Sequence, residues 1–226
     1  MTYVGMSQED VLRNVERGNA TIEWSEVKSA ARGHHAVLQV STDALKIDGV
    51  RVNVSATTQQ KIADILGATL PTIKTATLAY EQAAVKIDAM EQALGNGEDN
   101  GPLADRRITE KVAGRVGMVR GPWKEWVLSN RLGWAKGVQA INFGFWDAKE
   151  AKGEWLGHKL HQGPGTKHPG GNHYDYSQMA TFLRRWCVLD GEDTDVYRLM
   201  TDPVLCDLVS DEGVLRFTRQ PGVPLQ

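Results

Sequence analysis

Apolar residues recur along this chain with two spacings, one helical and one alternating. Ser7 precedes Gln8, Glu9 and Asp10, and then Val11, Leu12 and Val15 fall on one helical face. Ser7 can cap the backbone N–H of Asp10, and Gly18 can end the helix. Residues 36–40 and 44–47 lead into Asp48-Gly49, after which Val50, Val52 and Val54 alternate with Arg51, Asn53 and Ser55. Asp-Gly between alternating runs predicts a hairpin turn, because both positions tolerate positive φ. A second helix is predicted to open at 57–60, with Ile62, Ile65 and Leu66 on one face and Gly67 at its end. A third starts at Pro71 and turns Ile73, Ala76, Tyr80 and Ala84 inward.

Residues 95–102 read as the clearest loop, and they divide the chain if its single domain, 1–226, has two subdomains. Beyond it, 125–128 and 138–143 read as strands, and 163–171 as a second glycine-rich loop. Another strand spans 179–189 and ends at Asp190-Gly191. Asp202-Pro203 caps a short helix through Val209. Helices and hairpins mix without regular βαβ alternation. The predicted class is therefore α+β, a mixed and largely antiparallel sheet with helices packed on it.

Composition narrows the possibilities. The 226 residues hold 26 Lys+Arg and 28 Asp+Glu, a formal net charge of −2, with 41% hydrophobic and 24% charged residues. Such a balance argues against wholesale nucleic-acid wrapping, which needs a phosphate-neutralising excess. No apolar run approaches the ~18 residues of a membrane span. The first ten residues lack the basic and apolar regions of a signal peptide, so the expected location is the cytoplasm of the producing cell. Two cysteines, Cys187 and Cys206, are too few to staple a domain of this size, so the core must be hydrophobic.

Candidate chemistry concentrates in one window. Of six histidines, His158, His161, His168 and His173 lie within 16 residues, and Asp175 follows. Imidazole and carboxylate are the ligands of a catalytic zinc, which takes three protein groups and keeps one position open. If 173–178 is extended, His173, Asp175 and Ser177 share a face, and the glycine-rich loop lets His168 fold back toward them. A Ser-His-Asp device is less well served. Same-face neighbours on a strand stand roughly 6.6 Å apart, whereas nucleophile and base need about 3 Å. A third account is structural: histidines brace the loop, and Asp175 and Ser177 cap the segment that follows.

Other features matter less. Five of seven tryptophans (Trp123, Trp126, Trp134, Trp146, Trp155) fall between 123 and 155. Most belong in a core, and Trp155, beside the histidine window, is the best pocket wall. Arg106, Arg107, Lys111, Arg115, Arg120 and Lys124 form a basic stretch that suits either an anionic polymer or a solvated helix face. Asp147, Glu150 and Glu154 form an acidic group beside Trp146 and Trp155, a composition glycosidases also use. Arg131 can clamp a substrate carboxylate or form a surface ion pair.

Several stretches carry a resemblance. They are Gln60-Lys61-Ile62-Ala63-Asp64 with Leu70-Pro71-Thr72, Asn130-Arg131-Leu132, Gln162 with His168, Asp175-Tyr176-Ser177, and the run from Leu208 to Gly213. Together they resemble a family of uncharacterised bacterial and bacteriophage proteins. In that family the phrase is nearer Asp-Tyr-Ser-His-Gly and a Trp-His pair ends the preceding strand. Here Gln178 and Phe145-Trp146 stand at those places. The resemblance implies a site in this window without implying its activity.

The expectation is a hydrolase acting on a cell-wall peptide or glycan (peptidoglycan). His168, His173 and Asp175 would serve as zinc ligands or general bases, with Ser177 completing the catalytic set. Gln162, Trp155, Arg131 and Tyr176 would bind substrate. The alternative is a non-enzymatic virion or assembly protein whose loop and tryptophans contact neighbouring subunits.

Overall fold

The computed structural model describes residues 6–89, 101–132, 139–146, 153–155, 158–160, 162–169 and 171–225. The predicted positions Trp134, Asp147, Glu150 and His161, and most of the 95–102 loop, lie outside them.

Helix α1 (Gln8–Glu16) begins where its cap requires: the Ser7 hydroxyl accepts the Asp10 N–H at 3.1 Å. Short strand β1 (Ala20–Thr21) follows, then the long hairpin of β2 (Trp24–Ala31) and β3 (His34–Ser41), paired throughout from Trp24↔Ser41 to Ala31↔His34. Strands β4 (Lys46–Ile47) and β5 (Val50–Arg51) turn at Asp48-Gly49, whose φ angles of 51° and 77° are those the sequence predicts. Helix α2 (Ala56–Ile65) is capped by Ser55, two residues before the predicted start. After β6 (Ala68–Thr69), α3 (Ile73–Gln82) opens with a Thr72/Thr75 capping box.

Strand β7 (Val85–Lys86) comes next. Helix α4 (Gly101–Val112) then places Gly101-Pro102 in a first turn rather than in the predicted loop, a position where proline loses no helical hydrogen bond. The chain continues through β8 (Val119–Arg120), β9 (Lys124–Trp126), β10 (Gln139–Gly144), β11 (Gly153–Trp155), β12 (His158–Leu160) and β13 (Gln162–Pro169). The predicted loop at 163–171 is thus largely strand. Its ladder with β10 is irregular between Ala140 and Asn142 and again between Asn142 and Gly144, the kind of break that glycines within a strand often mark. Strands β14 (Leu183–Arg184), β15 (Trp186–Leu189) and β16 (Glu192–Asp195) precede α5 (Val196–Thr201) and a 3-10 turn at Cys206–Leu208.

The architecture is α+β, as predicted. A six-stranded antiparallel sheet runs β16-β15-β3-β14-β6, with β2 on the other edge of β3. A second sheet runs β13-β10-β9. The main core buries Val27, Leu38 and Val40 from the first sheet against Ile62, Trp126, Phe143, Phe182 and Leu199. Trp126 is fully buried and donates its indole N–H to the Val54 carbonyl at 2.7 Å. A smaller cluster gathers Ile87, Ile108, Trp123, Phe145, Tyr176 and Met179. No helix among the described residues is long and apolar enough to cross a membrane.

Candidate functional site

The histidine window ends in a turn, not an extended segment. Asp175 Oδ1 accepts both the Ser177 N–H at 2.7 Å and the Ser177 hydroxyl at 2.6 Å. This is an Asx turn, a local arrangement that competes with strand geometry. The Asp175 N–H donates to Gln178 Oε1 at 2.5 Å, and Asn53 Nδ2 donates to the Asp175 carbonyl at 3.2 Å. Main-chain bonds then fasten the turn to its neighbours. Lys124 N–H donates to Ser177 O, and Val54 N–H to Gln178 O. Upstream, Gly171 at φ 68° accepts the Thr57 N–H of α2, and a side chain there would meet Thr57 Oγ1 at 3.0 Å.

Two groups remain turned toward solvent. His173 Nε2 lies 3.7 Å from Asp175 Oδ2, with side-chain exposures of 41% and 17%. The distance is an ion-pair contact, longer than a hydrogen bond. The order is therefore Ser177–Asp175–His173, with the carboxylate in the middle. A serine nucleophile needs the imidazole in the middle to take its proton. The Ser177 hydroxyl points to a carboxylate instead, and its residue is 1% exposed. What this arrangement can do is keep a carboxylate beside an imidazole that solvent reaches.

The other predicted residues are dispersed. Tyr176 is 6% exposed and belongs to the smaller core cluster. His168, on β13, stands opposite Ala140, and Gln162 stands opposite Gly144. Strands β10 and β9 stand between β13 and Gln178, which bridges to Lys124 of β9. Trp155 pairs with His158 in the β11-β12 ladder. Arg131 sits elsewhere, its Nε 3.7 Å from Glu212 Oε1. Among the described residues, no three His, Cys, Asp or Glu side chains gather as metal ligands would. His173 and Asp175 offer two donors, one fewer than a catalytic zinc takes.

Arg131 lines a separate cavity of about 270 Å³ with Thr72, Lys74, Leu128, Ser210 and Glu212. Three of the stretches carrying the family resemblance meet there. Glu212 accepts the Ser129 hydroxyl at 2.9 Å and the Asn130 N–H at 3.0 Å, and the Thr72 hydroxyl donates to the Val209 carbonyl. Lys74 pairs with Asp211 at 2.9 Å. Opposite charges thus neutralise one another around this cavity, and its residues hold the C-terminal segment on α3.

The basic stretch splits. Arg106, Lys111 and Arg115 are exposed, while Arg120 is buried. Arg120 donates to the carbonyls of Val119 and Ser41, each at 2.7 Å, and its Nε lies 3.3 Å from Glu125 Oε1. Burial pushes the Glu125 carboxyl above the ordinary carboxylate range, opposed by the adjacent guanidinium. Nothing in the sequence distinguishes Glu125 from a surface residue, because its cation lies outside the strand that carries it.

Neither a family model, nor a curated protein sequence, nor a solved structure matches this chain.

Proposed function

We propose that this chain is a hydrolase in which His173 acts as general base toward a water molecule. Asp175 orients the imidazole and compensates the charge it gains on taking a proton. Ser177 braces Asp175 and is not the nucleophile. One observation carries this reading. A single carboxylate is fixed through one oxygen by Ser177 and presents the other to a half-exposed imidazole. The proposed substrate class remains a cell-wall peptide or glycan. Metal analysis of the purified protein tests whether zinc joins His173 and Asp175.

The test incubates purified protein with peptidoglycan and follows released amines and reducing ends. Wild type should release one of them, and His173→Ala should not. Equal turnover by a folded His173→Ala variant would sink the proposal.

A further inference from the structure

The open face of the six-stranded sheet carries a groove of about 280 Å³, lined by none of the residues of the histidine window. Its size falls near the lower end of small-ligand pockets, about 300–1,000 Å³. The ladder explains its lining. Glu26 lies opposite Gln39, and Gln39 Oε1 accepts Arg184 Nη1 at 3.1 Å. The next row runs from Val37 to Val188 to Asp193. Between the pairs Val40↔Leu183 and Val37↔Val188, residues 184–187 span what 38–39 span on β3. That bulge re-aims the strand. It leaves Trp186 59% exposed at the groove, while Cys187 behind it is buried.

We propose that this groove binds a pyranose glycan, with Trp186 as the stacking surface. An exposed indole face suits the apolar C–H face of a sugar ring. Glu26, Asp193 and Gln39 bring carboxylate and amide acceptors that match the donors of vicinal hydroxyls. Arg184 supplies the donor edge and is itself held by Gln39 and by the Trp24 ring, 5.4 Å from its centroid. Glu26 and Asp193 are balanced by Arg184 and by Lys28, which stands opposite Val37 at the end of that row, so the groove carries no net charge and suits neutral sugars. Val37 and Val188 form an apolar floor for a ring substituent such as an acetamido methyl. The inference rests on the glycan form of the proposed function and gives it a recognition surface apart from His173.

The experiment titrates the full chain with tetra-N-acetylchitotetraose and follows tryptophan fluorescence and heat. Saturable binding at ~1 mM is expected for one or two sugar subsites. Trp186→Ala should weaken it at least about tenfold, the loss of a ring contact, and Trp186→Phe should keep part of it. No saturable binding by wild type, or unchanged binding by Trp186→Ala, overturns the inference. Binding that depends on Trp186 without any turnover of peptidoglycan supports the groove while removing the hydrolase proposal.

Discussion

Asp43 and Asp175 have the same side-chain exposure, 17%, yet they stand in opposite situations. Asp43 faces Arg51, which is 2% exposed, through a two-pronged contact: Nε to Oδ1 at 2.8 Å and Nη2 to Oδ2 at 2.7 Å. Lys46 adds a third contact at 2.9 Å, and Arg51 spends its remaining nitrogen on Asp105 and Thr109. Asp175 also has one oxygen satisfied, but its other oxygen faces an imidazole that is 41% exposed. A carboxylate's own burial therefore says little about its role. A buried fixed charge on the other side makes it a structural clamp, whereas beside an accessible imidazole orienting that ring is the role proposed for it.

The comparison breaks most visibly through activity. His173→Ala should lower hydrolysis by about 10³-fold, within the usual range for a lost general base, and leave the unfolding midpoint unchanged. Asp175→Asn should lower it by about 10²-fold, because the amide still accepts the Ser177 donors but no longer compensates an imidazolium. Steady-state kcat/KM beside urea denaturation measures both. A variant at 173 that loses stability rather than turnover would erase the distinction from Asp43.

Asp43→Asn should show the converse, a loss of about 3 kcal/mol in unfolding free energy with turnover per folded molecule preserved. Its pH dependence adds a second reading. Burial raises the Asp43 pKa, yet the bidentate Arg51 contact and Lys46 outweigh it and leave the carboxyl below the ordinary value of 3.8. A group whose folded pKa is depressed contributes its stability above the unfolded value and loses it as pH falls through the folded one. Wild-type stability should therefore decline below about pH 4, and Asp43→Asn should flatten that part of the curve. Denaturation midpoints between about pH 6 and pH 2.5 check it.

Cys187 sharpens the same lesson with the sign reversed. Burial, with Asp195 and Asp193 adding like charge, pushes its thiol from 9.0 up to about 11. A two-unit rise leaves about a hundredfold less thiolate at pH 8, so alkylation of Cys187 in the folded chain should be slower by that factor than in urea. Peptide mass mapping after timed iodoacetamide exposure reads this directly. Rapid labelling would mean that burial does not govern the thiol.

How far these situations were visible in the sequence follows from the range of the interactions. The Ser7 cap and the Asp48-Gly49 turn act within a few residues and are present, whereas the predicted helix faces hold only in part: Ile62, Ile73 and Ala76 are buried, but Ile65 is 39% exposed and Ala84 lies exposed beyond the end of α3. Strand β2 escaped because its inward positions include Ser29 as well as Val27, which blunts the alternation. Its turn to β3 also places Arg32, an unusual residue for φ 51°, before Gly33. Helix α5 is six residues long, too short to show a period, whereas Asp202 does cap the chain that follows it, accepting the Val204 and Leu205 N–H groups ahead of a 3-10 turn rather than a full helix. In the candidate site, the residue types were legible and their geometry was not. Asn53, which holds the Asp175 carbonyl, lies 122 positions away. The glycine-rich stretch became strand β13 through pairing with β10, a partner that no local pattern announces.

Ser177→Ala is the smallest expected change and the one that divides two mechanisms. The hydroxyl is buried and donates to Asp175 Oδ1, which the Ser177 N–H also reaches. Removing it deletes one charge-assisted hydrogen bond but keeps the main-chain one, so the fold should lose about 1.5 kcal/mol. Turnover should fall less than about tenfold, by loosening the carboxylate that steadies His173. A serine nucleophile would behave differently, because no alanine variant can form the covalent intermediate, and activity would drop to background. The stability loss alone does not separate the cases, since both need the turn. The ratio of kcat/KM for Ser177→Ala to that for His173→Ala does. Near unity, it restores serine to the reacting centre. Near 10², it leaves water as the nucleophile and Asp175 as the group that serine was placed to hold.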